Sequence, residues 1–137
     1  MTRIERIYAD RLLGKLMTLK HADITDAILK AYYAVYNTLG FGFLERVYEN
    51  ALVLELEEAG TAVQSQVPIS VSYRGKVVGE YFADLVVANT VIVELKATEN
   101  LVDAHRLQLL NYLKATGYEV GLLLNFGRKP EFKRVVF

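Results

Sequence analysis

Along this chain the spacing of apolar positions switches from helical to alternating and back. In "HADITDAILKAYYAVYNTLG" apolar residues recur at 24, 27, 28, 31, 35 and 39, a helical period. Asp23 is the expected N-cap, Asp26 follows three positions later in capping-box fashion, and Gly40 is a natural stop. "FLERVYENALVLELEEAG" predicts a second long helix, with Leu44, Val47, Tyr48, Ala51, Leu52, Leu54 and Leu56 crowding one side and Gly60 ending it. The period then shortens. "QVPISVSYRGKVVGEYFADLVV" predicts a strand, a turn at Arg74-Gly75 and another strand, with Pro68 acceptable only at a sheet edge or a strand start. "ANT" is a short turn and residues 91–97 form the next strand. Helical spacing returns in "LVDAHRLQLLNYLKATG", opened by Asp103 or the loop before it and closed by Gly117. "YEVGLLLNF" and "EFKRVVF" supply the last two strands. The order α-α-β-β-β-α-β-β, without repeats or low-complexity linkers, predicts an α+β or mixed α/β domain with one sheet and helices packed on it.

Composition narrows the chemistry. The length of 137 residues suits one domain with a real core, and 53% hydrophobic with 23% charged residues suits a globular chain. Sixteen basic and sixteen acidic residues balance, so contact with nucleic acid would need a local basic patch rather than a global field. The absence of cysteine excludes disulfides, thiolate zinc sites and cysteine nucleophiles. With only His21 and His105, a divalent metal would have to be a hard ion held by carboxylates. "MTRIERIYADRLLGKLMTLKH" mixes charge through its apolar positions, so it does not read as a signal peptide, and no stretch is apolar for long enough to span a bilayer. A soluble cytoplasmic protein is expected. Residues 1–20 read as an N-terminal helical arm, with Met17 an alternative start, and residues 21–137 as the domain. The apolar run "IYADRLLGKLM" is compatible with a homodimer formed through this arm.

The candidate site lies on the strand "VIVELK". Glu94 and Lys96 are two apart and share a face. If Ala88, Asn89 and Thr90 make a three-residue loop, Val87 pairs with Val91 and Asp84 falls opposite Glu94, with Cβ atoms roughly 5 Å apart. Two carboxylates that close are unfavourable without a cation. Taken alone, an E-x-K pair on a strand is usually a solvated ion pair of little energetic value. Asp84, on strands otherwise built of Val, Ile and Leu, shifts the balance toward a metal site. Upstream, Gly42, Glu45 and Tyr48 form G-x-x-E-x-x-Y, with Glu45 and Tyr48 one helical turn apart; Glu45 is expected to aim at the interior, where a carboxylate needs a partner.

These motifs, with "ADLVV", "VIVELKA", "QLLNYLKATG" and "GLLLNF", resemble the GxxExxY protein family of the PD-(D/E)xK nuclease-like superfamily. The resemblance runs from about His21 to the C-terminus. It implies a restriction-endonuclease-like core, α-β-β-β-α-β around a central mixed sheet, and a metal-dependent nuclease acting on nucleic acid, DNA more than RNA. By the same resemblance Asp84 and Glu94, with the Leu95 carbonyl and Glu45, bind Mg²⁺ or Mn²⁺. Lys96 positions the attacking water, and Gln108 and Tyr112 stand beside the active site. Ala83 replaces the proline in the superfamily's name. Gln108 has a plain alternative as a solvent-facing residue among Leu107, Leu109, Leu110 and Leu113. His105 reads as a surface or packing histidine, and the basic run "GRKPEFKR" as either a phosphate contact or a solvated face. The competing function is a nuclease-fold module without turnover that binds nucleic acid or a protein partner.

Overall fold

The computed structural model describes residues 2–6 and 20–137. Residues 3–6 are helical; the rest of the expected arm, including Met17, lies outside the described residues. From residue 20 onward the expected element order holds. Helices α1 (Ala22–Leu39) and α2 (Glu45–Glu58) come first, followed by strands β1 (Val63–Tyr73), β2 (Lys76–Val87) and β3 (Val91–Lys96). Helix α3 (Asp103–Thr116) then crosses over to β4 (Val120–Phe126) and β5 (Pro130–Val136). The sheet runs β1-β2-β3-β4-β5, antiparallel except for the parallel pair β3–β4 that α3 connects. Pro68 sits on β1, an edge strand, where a missing N–H is tolerated.

Helices cover both faces of the sheet. Alternate strand residues Leu85, Val87, Val91, Val93 and Leu95 pack against Ile28, Tyr32 and Val35 of α1 and Tyr48, Leu52 and Leu56 of α2. On the other face Ala83, Val86, Ile92 and Leu123 meet Leu109, Tyr112 and Leu113 of α3. Burial on both faces explains why β3 and β4 read as nearly continuous apolar runs. Gly121 permits the close approach of α3: a Cβ there would lie 2.8 Å from Leu109 Cδ1 and 2.9 Å from its Cγ, and Leu109 is fully buried. Gly121→Ala should therefore destabilise the protein by about 1–3 kcal/mol, with Leu109→Ala partly restoring the double variant's melting temperature. Additive losses in that double variant would refute the contact.

Three local expectations need correcting. Helix α1 starts at Ala22 after a left-handed His21 (φ 59°), so Asp23 is an exposed first-turn residue, Asp26 is exposed in the next turn, and they form no capping box. The buried stripe of α2 is Tyr48, Glu49, Leu52 and Leu56, whereas Leu44, Val47 and Leu54 are exposed. Apolar character alone misled there, because the helix meets the sheet along a narrower stripe than its leucines suggest. Of the C-terminal cations, Arg134 is committed to structure: its guanidinium donates to the Lys20 carbonyl at 2.5 Å and to Thr25 Oγ1 at 3.3 Å.

Candidate active site

The site begins as an interruption of the sheet. The β2–β3 ladder runs Val87↔Val91, Val86↔Ile92 and Leu85↔Val93, the register expected from a three-residue loop, and stops there. The β1–β2 ladder pairs Ser65↔Leu85 and Val67↔Ala83 but skips Gln66, which is left-handed at φ 53°. Such a backbone costs a non-glycine residue roughly 1–3 kcal/mol. Asp84 thus lacks backbone pairing on both sides, and side chains close the gap. The Leu95 N–H donates to Asp84 Oδ2 at 2.8 Å, and the Asp84 N–H donates to Glu94 Oε1 at 3.1 Å.

Burial decides the electrostatics. Glu94 is 6% exposed, and desolvation followed by the neighbouring Asp84 charge pushes its pKa up to about 8. Asp84, half-buried, is also raised, chiefly by burial, with the Leu95 N–H pulling the other way. At neutral pH Glu94 therefore keeps its proton. Lys96 stands half-buried on the same strand and, among the described residues, makes no ion pair; its charge favours ionisation of both acids.

Toward α2, a cavity of about 290 Å³ is lined by Glu45, Arg46, Glu49, Gln66, Asp84 and Leu95. Glu49, 4% exposed, receives hydrogen bonds from Arg46 Nη1 at 2.7 Å and Gln66 Nε2 at 2.6 Å. Toward α3, Tyr112 is 7% exposed, and burial together with the charges of Glu94 and Asp84 raises its pKa, so it stands beside the acids as a protonated phenol.

The strand's exit is held as well. Asn125 pairs with Lys96 across β3–β4, and its buried side chain accepts the Thr98 N–H and donates to the Thr98 carbonyl, both at 3.0 Å. This amide acts as a further ladder rung beyond the end of β3. The Tyr32 hydroxyl donates to the Asn125 carbonyl and accepts the Glu131 N–H at 3.0 Å, while Glu131 Oε1 accepts the Leu101 N–H at 2.9 Å. The chain leaving Lys96 is thereby fixed to the sheet.

A divalent hard cation fits this donor set. Two adjacent carboxylates, one raised by burial and by the charge of its neighbour, are a donor set that Mg²⁺ or Mn²⁺ takes while retaining water in its remaining positions. No three acidic or histidine side chains gather into a ready cluster among the described residues.

A family model described as the PD-(D/E)XK nuclease superfamily matches residues 22–135. The chain belongs to the PD-(D/E)XK nuclease superfamily. The fold agrees: a solved structure described as "Crystal structure of SSO0001" is similar with a TM-score of 0.55 at 18% identity. The likeness covers 66% of this chain and 48% of that one, so it spans about half of that protein's length. No curated protein matches the chain. Nucleases of the superfamily typically use divalent metals. No described helix is long and apolar enough to cross a membrane.

Against this superfamily frame, Asp84, Glu94 and Lys96 meet at the interrupted end of the β2–β3 ladder, and Leu95 and Glu45 line the cavity beside them. Glu45 is exposed on its rim rather than aimed inward. The buried helical acid is Glu49, one turn on, whose spacing of three and seven from Leu52 and Leu56 was the available signal. Gln66 had none, because a left-handed glutamine inside a strand leaves no mark in a sequence. Gln108 is exposed in a separate groove shared with Tyr112. His105 Nδ1 accepts the Val102 N–H at 3.2 Å, a capping contact at the start of α3.

Proposed function

We propose that this protein is a metal-dependent nuclease that hydrolyses phosphodiester bonds of nucleic acid, DNA in preference to RNA. The observation that carries the reading is the Asp84–Glu94 pair, with buried Glu94 accepting the Asp84 N–H and half-buried Asp84 accepting the Leu95 N–H, beside a Lys96 that makes no ion pair among the described residues. In this reading the carboxylates of Asp84 and Glu94 hold Mg²⁺ or Mn²⁺, with the Leu95 carbonyl and Glu45 on the cavity rim contributing directly or through water. When bound, the ion polarises the phosphoryl group and lowers the pKa of its water. Lys96 directs its ammonium at the attacking water and offsets charge developing on the phosphate. Tyr112 and Gln108 offer hydrogen bonds from α3 to the nucleic acid beside the scissile bond. The preference for DNA rests on the resemblance to the restriction-endonuclease-like members of the superfamily.

Within the superfamily, we place the chain among the GxxExxY proteins on Gly42, Glu45 and Tyr48. The spacing has a structural rationale. Gly42 takes φ 109°, which other residues adopt rarely, and the Tyr48 hydroxyl donates to the Gly40 carbonyl at 2.8 Å while accepting the Phe43 N–H at 3.2 Å. The glycine and the tyrosine fix the loop that starts α2 at Glu45.

The test is cleavage of single-stranded, duplex, flap and junction DNA, and of RNA, with Mn²⁺ present. Wild type should cleave at least one DNA substrate, with Lys96→Ala and Glu94→Ala reducing the rate by about 10²–10⁴. Activity that survives both substitutions would place the chemistry elsewhere. A fold module that binds without turnover is the second reading, favoured by the fact that backbone N–H groups already engage both carboxylates. It predicts binding without cleavage and no Mg²⁺- or Mn²⁺-dependent rise in melting temperature that Asp84→Ala abolishes.

A further inference from the structure

A second groove, of about 870 Å³, opens between the β1–β2 hairpin and α3. Its α3 wall is one helical face, Ala104, Leu107, Gln108, Asn111 and Ala115, at spacings of three, four, seven and eleven from the first. Its hairpin wall brings Ser70, Ser72 and Tyr81. Tyr112 stands at the junction, with its ring 5.7 Å from that of Tyr81 and its hydroxyl within the field of Glu94 and Asp84.

The lining has a distinct chemistry. Among the described residues that line it there is no carboxylate and Lys114 is the one cation, so it is not built as a phosphate cradle. It offers an aromatic surface with amides and hydroxyls around it. Tyr81 is 47% exposed yet held in place, its ring lying over Gly79, where a Cβ would come within 3.2 Å. Leu107, 44% exposed, faces the same space. A half-exposed ring in a fixed position beside paired donor–acceptor groups suits one face and one edge of a planar heterocycle. Stacking on an aromatic side chain with hydrogen bonds to the base edge is how unstacked bases are held, whereas a duplex presents its backbone first. Tyr112 connects the groove to the acids: it lines the groove, packs against Tyr81 and feels the charges of Glu94 and Asp84, so a base on Tyr81 lies on the side of the site that Tyr112 borders.

We propose that this groove binds an unstacked nucleobase of single-stranded nucleic acid, stacked on Tyr81 and hydrogen-bonded by Gln108 and Asn111, next to the scissile phosphate. The assignment rests on the nuclease reading above. It goes further by naming single strands, or the splayed ends and loops of folded substrates, as the form engaged.

Binding in EDTA separates the two readings, because it needs no turnover. Fluorescein-labelled oligothymidylate, oligouridylate and a blunt duplex are titrated with the full chain and followed by anisotropy. Wild type should bind the single strands more tightly than the duplex. Tyr81→Ala should weaken single-strand binding about ten- to hundred-fold, Tyr81→Phe should retain it, and Gln108→Ala should weaken it independently. The thymidylate and uridylate arms distinguish DNA from RNA as the source of the base. Equal affinity of wild type and Tyr81→Ala for single strands would overturn the proposal, as would a duplex preference. A change of oligomeric state in Tyr81→Ala without loss of binding would assign the groove to a second copy instead and also overturn it. Loss of binding in Tyr81→Ala, with no cleavage by wild type in Mn²⁺, would leave the groove standing and refute the nuclease reading alone.

Discussion

Glu94→Gln should flatten a pH-dependent loss of stability that the metal-free wild type shows. The sign follows from the direction of the shift. Glu94 has an ordinary value of 4.5 and is held near 8 in the fold. Below 4.5 both folded and unfolded chains carry the proton, so the fold bears no penalty. Between 4.5 and about 8 the unfolded chain releases the proton and the folded chain keeps it, so stability falls as pH rises, and it levels off above 8. Asp84, raised in the same sense, adds to the fall. The penalty reaches on the order of 5 kcal/mol at the upper end. Glutamine keeps an acceptor for the Asp84 N–H and a donor toward its carboxylate, without a titrating proton. Melting temperatures or urea midpoints across this range, in EDTA, should fall steeply for wild type and weakly for Glu94→Gln. Mg²⁺ or Mn²⁺ should remove most of the wild-type fall by displacing the proton, and have little effect on the variant. Parallel curves for the two proteins in EDTA would show that Glu94 does not hold a proton in the fold.

The second large effect belongs to Tyr48. Its side chain is fully buried, its ring stacks on Phe126 at 4.0 Å between centroids with 12° between planes, and its hydroxyl ties together Gly40 and Phe43. Tyr48→Ala should cost about 3–5 kcal/mol through the cavity it leaves. Tyr48→Phe keeps the stack but leaves the Gly40 carbonyl without this donor, for roughly 1–2 kcal/mol. Denaturant unfolding measures both. Because the hydroxyl faces a loop rather than the acids, the phenylalanine variant should keep the metal response of wild type. Loss of that response would show that Tyr48 acts in the site and not only beneath it.

Much of the molecule was legible in its sequence for identifiable reasons. Helix and strand periods differ, so the element order from His21 to the C-terminus could be read from spacing alone. The register of β2 on β3 followed from one assumption, a three-residue loop, because strand pairing propagates residue by residue once a turn is fixed. That register sets Asp84 beside Glu94. Superfamily membership is likewise carried by the sequence, matched over residues 22–135.

What the chain could not specify locally is which side of each element faces inward and where the sheet gives way. Glu45 and Glu49 are both acids on α2, and only the helix's rotation against the sheet buries the second and leaves the first on a cavity rim. The skipped pairing at Gln66 and Asp84 arises from competition between two neighbouring strands, which no period records. Asn125 reads as one polar residue in a buried strand, yet the fold makes it the rung that holds the exit from Lys96. The sequence by itself therefore determined the elements, their register and the acids that meet. Tertiary structure decided their burial, and with it their charge: a carboxylate's proton depends on the water that packing removes, and that is a property of the assembled sheet and helices.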